Sequence, residues 1–322
     1  MLWAGLGVVV VCVLLLGAQG AAFAAPTQKA SVIIGTATSF KVASGPNRMA
    51  YNPVNHDLYV PAESANEVQI YNSTNVRVGT VHLPVDSGPG AAAFDPSNNE
   101  VYVTGESSNA VYVLTGTKLT TTINSTTFDD PYGIIYDPGC GAMLVANDLG
   151  TTITWIRGNS VGGTIPVGLD PFEIAYDPYW SNVLVTNYGS ANVTVLNALY
   201  LTYVTSIPVG DGPTGIAYDP EDLLDYVANF DSGNVSVLMG SGSVAATISG
   251  LSFPDGVAFS QKNLEMYVTC AGSGKVYVYH GATLKAKYST AARSNPVDAT
   301  YDPYNDDVYV SGYDDAKVFV VP

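Results

Sequence analysis

Charge is scarce in this chain. Only 12% of its 322 residues are Asp, Glu, Lys or Arg, against about 25% in an ordinary soluble domain. Basic residues are fewest: 12 Lys and Arg stand against 28 Asp and Glu, for a formal net charge of −16. A phosphate backbone would be repelled by that balance, so non-specific nucleic-acid binding is excluded. Histidine appears only at His56, His82 and His280, and the repeat alignment below keeps the three apart. That argues against a multi-histidine metal site and a Ser-His-Asp triad. No window sustains the 3.6-residue period of an amphipathic helix. Glycine and proline are plentiful, at 32 and 19, and Tyr leads the aromatics at 22. The chain is therefore rich in turns and has ample material for a core.

Apolar runs long enough to matter to a membrane occur only at the N-terminus. Leu2 to Gln28 carry no charge, and Val8 to Leu16 are apolar throughout. With Ala22-Phe23-Ala24 following, residues 1–24 read as a secretory signal peptide cut after Ala24. An uncleaved anchor is the other reading, because the uncharged stretch approaches the ~20 residues that span a bilayer. Either reading puts the remainder outside the cytoplasm, secreted or at the cell surface, with membrane contact only through that anchor. Cys140 and Cys270 remain after cleavage. They fall in turns on opposite faces of non-adjacent repeats, so two free thiols are expected rather than a disulfide.

Self-similarity dominates the rest. An aromatic-Asp-Pro signature recurs as Tyr51-Asn52-Pro53, Phe94-Asp95-Pro96, Tyr136-Asp137-Pro138, Tyr176-Asp177-Pro178, Tyr218-Asp219-Pro220 and Tyr301-Asp302-Pro303. Phe259-Ser260-Gln261 fills the one gap, and the steps are 43, 42, 40, 42, 41 and 42 residues. In each unit a turn ending in Pro, Gly-Pro in three of the seven, leads into a short apolar strand, as in Gly212-Pro213-Thr214-Gly215-Ile216-Ala217-Tyr218. Three alternating strands rich in Val, Tyr, Thr and Ile follow. Seven such units predict an all-β, seven-bladed β-propeller with four antiparallel strands per blade. The last repeat ends after its third strand, at Lys317 to Pro322. The missing fourth appears at the start, as Thr38-Ser39-Phe40-Lys41-Val42. The N-terminal strand should therefore join the C-terminal blade and close the ring, removing an open edge. The propeller is expected over residues 36–322, preceded by a short segment, residues 25–35.

Val101-Tyr102-Val103-Thr104-Gly105, Val185-Thr186-Asn187 and Tyr267-Val268-Thr269 resemble the YVTN-type propeller repeats typical of archaeal surface-layer proteins and exported bacterial relatives. Cys270 departs from that pattern in the Asn position, and Phe259-Ser260-Gln261 in the turn. The resemblance implies an exported cell-surface module, part of a surface layer or similar to one. Such a module would bind a protein, glycan or small ligand, and it would not be an enzyme. The alternative is a lactonase- or lyase-like propeller enzyme with a metal-assisted site.

Two catalytic-looking strings lack the required setting. Gly158 to Gly162 fits G-x-S-x-G but joins strand to strand, as does the dinucleotide-like Gly240 to Ala245. The innermost strands are more informative. Where Gly and Ala prevail at their start, Arg48, Glu173, Asp255 and Asp298 stand out, with Tyr132 and Phe172 beside them. These six are the candidate ligand site, at a channel mouth on the face of the Gly-Pro turns. The donor pattern implies no metal or cofactor, with calcium the one ion kept as an alternative. Calcium at Asn305-Asp306-Asp307 lacks the twelve-residue loop of a dedicated site. Asn72, Asn124, Asn192 and Asn234 head N-x-S/T strings and read as N-glycosylation acceptors in an exported chain. At Asn192 and Asn234, turn chemistry alone also explains the residue.

Overall fold

The computed structural model describes residues 32–322 apart from 241 and 292. The signal-peptide or anchor expectation lies outside the described residues. Seven antiparallel sheets follow one another along the chain. Their innermost strands are Ala50–Asn52, Pro89–Asp95, Pro131–Asp137, Pro171–Asp177, Pro213–Asp219, Pro254–Ser260 and Pro296–Asp302. We number the blades one to seven in that order. The all-β, seven-bladed propeller with four antiparallel strands per blade is therefore what the chain forms. A four-stranded sheet has two apolar faces, and each blade buries them on its neighbours. Tyr59, Val68 and Ile70 of blade one thus share a cluster with Val101, Val103 and Leu114 of blade two. Each such side chain contributes about 1.5–3 kcal/mol when fully buried.

The ring closes as the repeat count requires. Thr38–Lys41 pairs antiparallel with Lys317–Val321, Phe40 opposite Val318. Just before it, Ile33–Thr36 adds in parallel to the outer strand of blade six, Ile33 opposite Ala286. The repeat pattern carries no sign of that fifth strand. Cys140 and Cys270 are both free thiols, and burial pushes each up to about 12.

The recurring residues have visible tasks. The Asp of each Asp-Pro turn accepts backbone N–H groups two residues on, as Asp95 does from Ser97 at 2.8 Å and Asp137 from Gly139 at 2.8 Å. The Thr of the Val-Thr signature repairs an irregularity at the start of the inner strand. There the register slips, for example between Pro171 and Ile174. Thr186 Oγ1 accepts from Glu173 N at 2.9 Å and donates to Thr214 O of the next blade at 2.7 Å. Thr104 does the same for Ala91 and Tyr132. Buried Asn187 then clamps the following turn, donating to Asn192 Oδ1 at 2.7 Å. The amides of Asn192 and Asn234 serve these turns, and Asn72 caps its own turn by accepting from Thr74 N and Val76 N. Asn124 is exposed at the end of an outer strand.

Blade five breaks the pattern once. The residue opposite each signature aromatic is Leu58, Val101, Met143, Val183, Met266 or Val308 in the other blades. In blade five it is Asp225, opposite Tyr218. Its side chain is fully buried, and neither carboxylate oxygen has a hydrogen-bond partner.

Candidate functional site

Blade one supplies the key residue because its inner strand is irregular. Arg48 bridges in parallel to Ala91 of blade two instead of pairing within its own sheet. Its N–H goes to Gly90 O and its carbonyl accepts from Ala92 N. Met49 N, released from its own sheet, donates to Asp298 Oδ2 of blade seven at 2.9 Å. This detour brings the Arg48 backbone near the axis, so its side chain reaches across to three other blades.

There the guanidinium meets three carboxylates. Nε lies 3.0 Å from Glu173 Oε2, Nη2 2.9 Å from Asp255 Oδ1 and Nη1 3.7 Å from Asp298 Oδ1. Close approach of the inner strands makes this convergence feasible. A Cβ on Gly256 would lie 2.6 Å from Asp298 Cα, and one on Gly215 would collide with Asp255 O. Aromatic rings cover the guanidinium, with the centroids of Tyr132 and Phe172 at 5.4 and 5.1 Å. Tyr132 donates to Asn47 Oδ1 at 2.9 Å. All six residues expected at the mouth are thus brought together.

Their setting differs from an open mouth. Arg48 is only 5% exposed, and Tyr132, Asp255 and Asp298 are buried as well. Together they form a plug across the channel. On the Gly-Pro side lies a cavity of about 290 Å³ lined by Asn47, Glu63, Glu106, Tyr132, Asp148 and Phe172, among others. On the other side a shaft of about 750 Å³ runs from Arg48, Glu173 and Asp298 along the inner strands to the Asp-Pro turns. Ala92, Ile134, Ile216, Val257 and Ala299 line it, with Tyr51, Phe94, Tyr136, Tyr176 and Tyr301 toward the exposed prolines of that face. The repeat alignment picked out residues that the fold brings together. It could not tell that Arg48, Glu173 and Asp298 line a shaft on the opposite face while Tyr132 and Phe172 line the cavity on the Gly-Pro side, because that depends on which rings fold over Arg48.

Three carboxylates around one cation cannot all ionise cheaply in a buried site. Burial pushes Glu173 up to about 7, opposed by Arg48 and reinforced by Asp298. Asp255 rises to about 6, again through burial against the pull of Arg48, and Asp298 rises for the same cause. In the upper cavity, burial and the neighbouring Glu63, Asp130 and Asp148 push Glu106 up to about 9. None of the three histidines lines the shaft. His56 stacks on Tyr304 near the Asp-Pro turns, His82 pairs with Glu67 on the outer edge, and His280 is exposed at the end of a third strand. Among the described residues no group of three or more His, Cys, Asp and Glu side chains is arranged to hold a metal ion. Asn305 and Asp306 instead bond Tyr309 and Tyr301 within their own blade.

No protein-family model matches the chain, and a comparison with curated proteins finds no match. Solved structures do match. Virginiamycin B lyase from Staphylococcus aureus superposes with a TM-score of 0.77 at 15% identity, over 88% of this chain and 97% of that one. A streptogramin B lyase gives 0.77 at 14% identity, over 88% and 96%. Kuenenia stuttgartiensis hydrazine synthase gives 0.75 at 19% identity, over 88% and 97%. This chain is similar in fold to all three.

These findings correct part of the sequence reading. The seven-bladed fold stands, but membership of the YVTN surface-layer family is not supported, because no family model matches and two of these three structures are lyase propellers. The surface-layer binding module, its secreted or cell-surface location and the leaning away from catalysis came with that family and the N-terminal reading. They are set aside, since the structural relatives carry the names of catalysts. At such identities the likeness establishes architecture, and the chemistry must come from the site.

Proposed function

We propose that this chain is a lyase-like propeller enzyme acting at the inner end of the axial shaft, with Glu173 as the acid-base group. One observation carries the reading. A carboxyl poised near neutral pH closes a largely apolar cavity while touching a buried guanidinium. General bases work best when their pKa lies near the working pH. Pairs of groups whose surroundings separate their pKa values mark acid-base sites. The fold's likeness to two lyases supports the same class.

The chemistry follows from the groups present. The Glu173 carboxylate takes a proton from a carbon next to a substrate carbonyl. The C–H electron pair becomes a C=C bond as the C–O bond to the leaving group breaks. The departing oxygen takes a proton from the Glu173 carboxyl, which restores the base. Arg48 lowers the energy of negative charge building on the carbonyl oxygen. Its loosest contact, to Asp298, is the one most easily exchanged for that oxygen.

A related structure is a catalytically inactive histidine-to-alanine variant of the Staphylococcus aureus lyase with quinupristin. No histidine lines the shaft here, so the carboxylates take the proton-transfer role in this reading. The test is to incubate the purified protein with quinupristin and a panel of lactones, following products by mass spectrometry. Elimination opens a ring without change of mass, whereas hydrolysis adds one water. Glu173→Gln should lower kcat/KM by about 10²–10⁴-fold, and kcat/KM of the wild type should rise with pH to a plateau above about 7. Turnover equal in wild type and Glu173→Gln, or a flat profile across that range, refutes the assignment.

A further inference from the structure

The charge count at the end of the shaft is unbalanced. Arg48 supplies one positive charge, while Glu173, Asp255 and Asp298 supply up to three negative ones. Asp255 and Asp298 are otherwise satisfied. Asp255 accepts from Arg48 Nη2, and Asp298 accepts from Met49 N and Thr300 Oγ1. Glu173 is held more loosely. Arg48 Nε lies 3.0 Å from Glu173 Oε2, yet that N–H is not directed at any acceptor and makes no hydrogen bond. Glu173 Oε1 receives only the long contact of 3.3 Å from Ile174 N. The contact between Arg48 and Glu173 is thus an ion pair without a directed hydrogen bond. Glu173 is the acceptor freest to turn toward a visitor in the shaft, and it lines that shaft together with Arg48 and Asp298.

The walls fix the rest of the visitor. Between the plug and the Asp-Pro face they are mostly alanine, isoleucine, valine and aromatic side chains. No lysine lines the shaft, and Arg48 is its only cation. An anionic head at the inner end would meet surplus negative charge, and a neutral head would leave that surplus uncompensated. A protonated amine would be attracted to Glu173 and Asp298 while its apolar body filled the shaft. We propose that the shaft takes a ligand with a primary ammonium head and an apolar, aromatic-sized body, inserted amine first from the Asp-Pro face.

This inference rests on the same site as the enzymatic reading and names the substrate class for it. An ammonium beside Glu173 would also favour its ionised form, so the substrate would switch on the base that acts on it.

The experiment is calorimetric titration of the full chain with 2-phenylethylamine, 2-phenylethanol and 3-phenylpropionate. The expected result is that the amine binds at least about tenfold more tightly than the alcohol, with no detectable binding of the acid. Glu173→Gln should weaken amine binding by about tenfold or more and so narrow the preference for amine over alcohol. Ala93→Trp, at a shaft-lining position two residues before the Asp-Pro turn of blade two, should abolish binding of the amine and the alcohol. Equal affinity for amine and alcohol in the wild-type protein overturns the proposal. So does amine binding that survives Ala93→Trp, which would mark general attraction to an acidic surface. Turnover separates the two readings. Amine binding with no turnover of any substrate leaves this inference standing and counts against the lyase. Turnover of uncharged substrates without amine binding does the reverse.

Discussion

Replacing Asp225 by valine should make the protein more stable, and by an amount that depends on pH. Val occupies the equivalent position in blades two, four and seven, so the shape is suited to the core. Burial pushes Asp225 from 3.8 up to about 8, reinforced by Asp177. A group whose pKa is raised in the fold favours folding only while it is protonated in both states. Stability is therefore fullest below about 4, falls as pH climbs from there to about 8, and is constant above. At 1.36 kcal/mol per pKa unit, holding this carboxyl protonated at pH 7 costs the fold about 4 kcal/mol. The unmet hydrogen bonds of the neutral carboxyl add a further ~1–3 kcal/mol at any pH. Some of this will be lost to imperfect packing, so a net gain of about 2–4 kcal/mol near neutrality is expected, or roughly 5–10 °C in Tm. Denaturant unfolding of both proteins at about pH 4 and about pH 8 is the assay, with the larger gain at the higher pH. A variant no more stable than the parent at the higher pH refutes the reasoning, as does a gain that does not change with pH.

Glu106, Glu173, Asp148 and Asp255 are also raised, to about 9, 7, 6 and 6. The same sign applies to each, so the wild-type Tm should fall steadily as pH rises from about 4.5 to about 9; a scan showing its maximum at neutral pH would contradict these environments. Arg48→Leu removes the only cation among three buried carboxylates and should cost about 3–5 kcal/mol, with a greater loss of Tm above pH 7 than below pH 5, where the carboxyls can protonate. Deleting residues 33–41 strips the outer strand from blade seven and the added strand from blade six. The exposed edges should yield aggregating or non-cooperatively unfolding protein by calorimetry and light scattering; a soluble variant with one sharp transition would show that closure does not depend on this segment.

The sequence by itself determined the architecture, because a propeller is built from local rules repeated. The aromatic-Asp-Pro turns, the Val-Thr strands and the displaced Thr38–Val42 strand each act over a few residues. Their period of about 42 residues counts the blades. The same alignment exposed Arg48, Glu173, Asp255 and Asp298, since charges at crowded glycine and alanine positions stand out without any structure. Asp225 was not singled out by the repeat alignment, and its burial without a partner is decided by the packing around blade five. What only the tertiary structure decided involves residues far apart in sequence and settled by packing. Arg48 leaves its own sheet for blade two and reaches blades four, six and seven, while Tyr132 and Phe172 fold over it and close the expected mouth. The shaft then opens on the other face. Repetition fixes where each strand begins, but a side chain on the axis belongs to no single repeat. Its direction, partners and protonation are set by all the blades at once.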